Sequence, residues 1–203
     1  MIIELKISKK LVPYKRAMNL LEKRVVDVQK GKEKELLWIL EHPRIYTGGV
    51  RSKDSEILDK KIEYISTNRG GKITLHNPGQ KIVYFVINLN KRKKDIRRFI
   101  NIIEKSVIEF LNIYKINGKS DKKNIGIWVK NKKISAIGIR VKKWIAYHGC
   151  SININNNLQD YKKIIPCGLD NKKVTSLKDL GIYKIHNINE NLEKIFLKNL
   201  SKI

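Results

Sequence analysis

Apolar and polar positions along this chain follow two different periods. From 94 to 116, "KDIRRFINIIEKSVIEFLNIYKI" sets Ile96, Phe99, Ile103, Val107, Phe110 and Leu111 on one stripe at helical spacing. Residues 14–32 repeat this more weakly through Met18, Leu21, Val25 and Val28, and Gly31 stands where a helix would be capped. A third amphipathic stretch, "NENLEKIFLKNL" at 189–200, predicts a closing helix. Elsewhere the runs suit strands. "IIELKI" (2–7) reads as an edge strand, "ELLWILEHP" (35–43) as a buried strand ended by proline, and "IEYIST" (62–67) and "KIVYFVINL" (81–89) as two more. "IGIWVK", "KISAIGIRV" and "KKWIAYHGCSINI" predict three further strands, the first two joined by a tight turn at 131–132. Residues 44–58, rich in turn formers, read as a loop. In the last strand Trp144, Ala146, His148, Cys150 and Ile152 alternate onto one face that reads as core. Many strands, hairpin connections and two long helices predict an α+β fold, a mixed or mostly antiparallel sheet flanked by helices.

Composition changes this picture little. With 203 residues the expectation is one domain over 1–203, large enough for a real core. The first residues lack the apolar core of a secretory signal, no apolar run approaches the roughly 18 residues that span a bilayer, and two cysteines are too few for a disulfide framework. A cytoplasmic protein with no membrane partner is expected. The net charge of +25 raises the question of nucleic acid. Lysine supplies 35 of the 44 basic residues and arginine 9, while isoleucine (33) and asparagine (19) are also inflated. That joint rise is the mark of A/T-rich coding, and the lysines are spread along the chain, so no nucleic-acid partner is expected. A basic surface still steers acidic proteins toward it.

Three stretches carry candidate chemistry. In "RGGKITLH", Arg69 to His76, the paired glycines allow close backbone approach to a ligand, although a strand–turn–strand connection would use the same letters. In "KKISAIGI", Lys133 opens an apolar strand, and local pattern does not separate it from Lys132. The cysteines differ in setting. Cys150 lies on the core-like face and reads as a small buried hydrophobe, whereas Cys167, in "IIPCGLD", sits on a turn between proline and glycine with lysines nearby, a setting for a nucleophilic thiolate. No Cys/His cluster has metal-ligand spacing, so no metal site is expected.

Taken together, "RGGKITLHNPGQKIVYFVINL", "GIWVKNKKISAIGIRVKKWIAYHGCSIN" and "IIPCGLDNKKVTSL", in this order, resemble the lipoate-biosynthesis octanoyltransferases, as does "EHPRIYTGGVR". The resemblance runs from about 35 to 180; it departs from the family's usual residues at Gly48, Leu75 and Cys150. It implies the fold of the biotin/lipoate ligase catalytic domain. It implies transfer of an octanoyl group from octanoyl-acyl carrier protein, through a cysteine thioester, to a lysine of the lipoyl domains of 2-oxoacid dehydrogenase or glycine cleavage proteins, with no cofactor. By the same resemblance Cys167 is the nucleophile and Lys133 its activating partner. Arg69, Gly70, Gly71, Lys72, Ile73, Thr74, Leu75 and His76 would line the acyl pocket, with Ala136, Ile137, Gly138, Gly149, Cys150 and Ser151 as the rest of its wall. Two alternatives stay open: an ATP-dependent lipoate or biotin ligase on the same fold, and a basic nucleic-acid-binding protein.

Overall fold

The structure is a computed structural model, and it describes residues 3–165 and 174–203. Its frame is a seven-stranded sheet in the order β1-β2-β6-β10-β9-β8-β7. The strands are β1 (Ile3–Ile7), β2 (Glu35–Leu40), β6 (Gln80–Asn88), β7 (Lys119–Ser120), β8 (Gly126–Val129), β9 (Lys132–Lys142) and β10 (Ile145–Asn153). Only the β1–β2 pair is parallel, so the sheet is mixed but mostly antiparallel. Three helices flank it: α1 (Tyr14–Gln29), α2 (Ile96–Asn112) and α3 (Ile188–Leu200). A smaller sheet, β4-β3-β5, is built from β3 (Ile45–Gly48), β4 (Tyr64–Ser66) and β5 (Ile73–His76).

Strand alternation sorts the core into two layers. Val83, Phe85 and Ile87 of β6 join Phe99, Ile103, Val107 and Phe110 of α2 and Leu192 and Phe196 of α3. Ile82, Tyr84 and Val86 pack with Ala17, Leu21, Val25 and Val28 of α1. β2 is buried throughout, which is why it reads as an unbroken apolar run. Its one acid, Glu35, receives both guanidinium nitrogens of buried Arg92, at 2.6 and 2.9 Å, and the Asn88 N–H at 2.7 Å.

The helices end as their sequences direct. Asp95 caps α2 by accepting the Arg98 N–H at 2.9 Å. After α1, Gly31 takes a left-handed φ of +70°; its N–H bonds to Val28 O and the Lys32 N–H to Asp27 O, a Schellman close. Four expectations need correction, and one is Trp144, which lies before β10 at positive φ and is 38% exposed instead of facing the core. Residues 44–58 are not all loop, because Ile45–Gly48 form β3 against β5. The β8–β9 turn falls at Lys130 and Asn131, one residue earlier than expected, since both take positive φ and Val129 pairs with Lys132. On α2's stripe, Ile96 lies at the surface, 36% exposed. Among the described residues, no helix is long and apolar enough to cross a membrane.

Candidate functional site

A cavity of about 720 Å³ opens where the small sheet meets the central strands of the large one. One wall is the glycine motif. The segment Gly49–Arg51 is laced to it: the N–H groups of Gly49, Val50 and Arg51 bond to the carbonyls of Lys72, Arg69 and Gly71. Gly70 and Gly138 let this loop lie flat on β9. A Cβ on Gly70 would stand 2.9 Å from Ile139 O, and one on Gly138 3.0 Å from Gly70 O. The paired glycines therefore serve close backbone contact. Arg69 is buried and spends its charge inside the wall, donating to Thr47 O at 2.7 Å, Thr47 Oγ1 at 2.9 Å and Gly70 O at 3.0 Å.

Arg69, Gly70, Gly71, Lys72, Thr74 and His76 line the cavity, as do Ala136, Ile137, Gly138, Gly149, Cys150 and Ser151. Ile73 and Leu75 do not. Alternation along β5 turns them into a separate cluster with Tyr46, Tyr161 and Ile164. Leu75, one of the residues where the chain departs from the family's usual pattern, is thus kept off the cavity wall. Gly149 is the tightest point, where a Cβ would fall 1.8 Å from Val83 O. Cys150 packs into the α2–α3 core, and burial pushes its thiol well above the usual range.

Histidines and tyrosines close the deep side. His42 Nδ1 donates to Val12 O at 2.6 Å, which leaves Nε2 to accept the Tyr84 hydroxyl at 2.8 Å. His76 Nδ1 donates to Gln80 Oε1 at 2.7 Å, because the Gln80 amide nitrogen is turned to Asn153 Oδ1 and Tyr161. His148, in a strand yet at φ +66°, bonds through Nε2 to Asn68 Oδ1 at 2.7 Å. Burial pushes all three rings down, His42 to about 4, His76 to about 3 with help from His42, and His148 to about 3 with help from Arg69 and Arg140. At neutral pH they are uncharged hydrogen-bonding groups. Tyr14, whose ring packs beside His42 and His76, completes this end.

At the other end sits Lys133, only 7% exposed. Its Nζ donates to Ile125 O at 3.2 Å and lies 4.8 Å from the centre of the Trp128 ring. Lys132 points elsewhere, to Asp179 at 3.5 Å, half exposed. That contrast separates two residues that local pattern could not. Cys167 lies outside the described residues, but both flanks of its segment are tied to this site. Before it, the Ile165 N–H bonds to Glu56 O at 2.7 Å, and the Glu56 carboxylate pairs with Lys72 at 2.9 Å. After it, Val174 bridges to Lys133, and the Thr175 N–H bonds to Lys133 O at 2.9 Å.

Sequence reasoning did not pick out Tyr14, His42, Tyr84, His148, Ile125 or Trp128 for the site. His148 could be read only as part of a core-like face. Tyr14, His42 and Tyr84 become neighbours through contacts between segments far apart in the chain, and Ile125 and Trp128 meet Lys133 across the β8–β9 hairpin.

The glycine wall and the lysine thus line one cavity, and the flanks of the cysteine segment are hydrogen-bonded to Glu56 and to Lys133 beside it. The model of the lipoyl protein ligase A/B catalytic domain matches residues 13–196. The chain belongs to that family. An octanoyltransferase of Wolbachia sp. subsp. Brugia malayi is 40% identical over 205 residues, covering 97% of this chain and 98% of the relative. Among solved structures, a lipoate protein ligase of T. acidophilum with bound lipoic acid has a TM-score of 0.77 at 16% identity, covering 99% of this chain and 87% of its own. A biotin protein ligase from Aquifex aeolicus, in complex with biotin and ATP, has a TM-score of 0.58 at 17% identity, covering 98% and 70%. These two likenesses establish the lipoate/biotin ligase fold expected from the sequence.

Proposed function

We propose that this chain is an octanoyltransferase of protein lipoylation, working through a thioester on Cys167 with Lys133 as its partner. The carrying observation is the convergence at Lys133. The lysine is buried against the cavity, and its own backbone holds the residues that follow the Cys167 segment. The identity to a named octanoyltransferase supports the reaction class.

In this reading the Cys167 thiolate attacks the carbonyl of octanoyl-acyl carrier protein. A C–S bond forms to the enzyme, the C–S bond to the carrier breaks, and the carrier thiolate leaves with a proton. The Lys133 ammonium favours the thiolate electrostatically and supplies that proton. The lysine amine of a lipoyl domain then attacks the enzyme thioester. An amide forms, Cys167 is released, and neutral Lys133 takes up the amine's proton. The first step exchanges one thioester for another and the second is downhill, so neither requires ATP. Ile82, Ala136 and the bare surface of Gly138 and Gly149 offer an apolar floor for the chain. Burying about six methylenes there contributes roughly 5 kcal/mol. Lipoyl domains of 2-oxoacid dehydrogenase or glycine cleavage proteins are the acceptors in this scheme.

The test is transfer to an apo lipoyl domain, from octanoyl-carrier protein without nucleotide and from free octanoate with ATP. Transfer from the carrier alone is expected. A requirement for ATP would move the chain to the ligase branch of the fold.

A further inference from the structure

We propose that the start of β8 is a cradle that fixes the Lys133 side chain, with Trp128 as its positioning residue. This rests on the catalytic reading of Lys133 above. A lysine side chain has four freely rotating bonds, and holding its end at one point gives up that rotamer freedom. A buried ammonium also needs partners in place of water. Among the described residues no carboxylate pairs with Lys133. Its partners are a carbonyl and a ring face, both of which attract positive charge without neutralising it. An ion pair would hold the ammonium as firmly but would cancel the charge that the Cys167 thiolate needs.

Three features of the sequence stretch 125–128 build this arrangement. Ile125 supplies the carbonyl oxygen. Gly126 has φ +139°, open to glycine, and a Cβ there would stand 3.2 Å from Lys133 Cε, 3.4 Å from Nζ and 2.5 Å from Ser135 O. Its missing side chain is the groove through which the lysine reaches Ile125. Trp128 faces Lys133 across the strand pair, at the register shift between Ile127 and Trp128. Its ring is fixed from behind, since Nε1 donates to Asn124 O at 3.0 Å. Asn124 is in turn held by Asp121, which accepts its N–H at 3.2 Å and its side-chain amide at 3.0 Å.

The experiment varies the charge on the ring face while leaving its shape alone. Tryptophan at position 128 alone is replaced by mono-, di-, tri- and tetrafluorotryptophan, and octanoyl transfer is measured for each with Trp128→Phe and Trp128→Leu beside them. The expected result is a stepwise fall in kcat with fluorine number, reaching about 10-fold, with KM within about twofold. Trp128→Leu falls as far, and Trp128→Phe keeps most of the rate. A flat fluorine series, or a rise in KM at constant kcat, overturns the proposal. A second readout needs no catalysis and covers a leucine variant that folds poorly: reductive methylation of Lys133, followed by peptide mass spectrometry. Lys133 should be protected in the wild type and methylated faster as fluorines are added; equal rates across the series overturn the cradle. Wild-type transfer by Lys133→Ala would instead refute the catalytic reading, leaving the methylation series to decide the cradle by itself.

Discussion

Acidification should dismantle this protein from the cavity outward. His42, His76 and His148 are buried and neutral, with folded-state values pushed from 6.5 to about 4, 3 and 3. A histidine lowered on folding binds fewer protons in the native state than in the unfolded one. Its contribution is complete above the unfolded value and is lost as pH falls below it, down to the folded value. At about pH 5 each ring lies roughly 1.5 units below its unfolded value, so at about 1.4 kcal/mol per unit each withdraws about 2 kcal/mol. Three such rings remove about 6 kcal/mol, against a typical domain stability of about 5–15 kcal/mol. Urea unfolding at pH 7 and pH 5 measures the difference, and NMR of the imidazole protons assigns it. The stability curve should fall steeply below pH 6.5, and His76→Gln should flatten part of that slope. Equal stability at the two pH values, or titration of the buried rings near 6.5, would refute the reasoning.

Other substitutions test the packing around the site. Gly149→Ala should cost about 3 kcal/mol or more in urea unfolding, because its Cβ would collide with Val83 O and part β10 from β6. Arg92→Ala should cost about 3–5 kcal/mol in the same assay, since it strands the Glu35 carboxylate without its buried partner. Cys150→Ala should change stability by less than about 1.5 kcal/mol and leave the octanoyl adduct on Cys167, as expected of a cavity-wall thiol that burial keeps protonated.

What could be read from the sequence is what is local. The stripes of α1, α2 and α3 emerge from helical spacing alone, and β2 and β6 from apolar runs. β3 escaped because its four residues run into two glycines, and it becomes a strand only by pairing with β4 and β5, strands that lie further along the chain. Ile73 and Leu75 were carried into the pocket by their motif, whereas the pleat sends them to the opposite face. Lys133 could not be told from Lys132 until the fold buried one and left the other on Asp179. The histidine end of the cavity joins Tyr14, His42, His76 and Tyr84 from four separate elements and loops, a meeting that no short-range pattern encodes. The family resemblance supplied what periodicity lacked, a reason to group three distant motifs.

The central claim is the acyl thioester on Cys167, and intact-protein mass spectrometry tests it most directly. The full chain is incubated with octanoyl-acyl carrier protein, without acceptor or nucleotide, and then digested to place any adduct. The prediction is one octanoyl group on Cys167, discharged by an apo lipoyl domain, slowed strongly in Lys133→Ala and absent in Cys167→Ser. An adduct that persists in Cys167→Ser, or maps to Cys150, would contradict it.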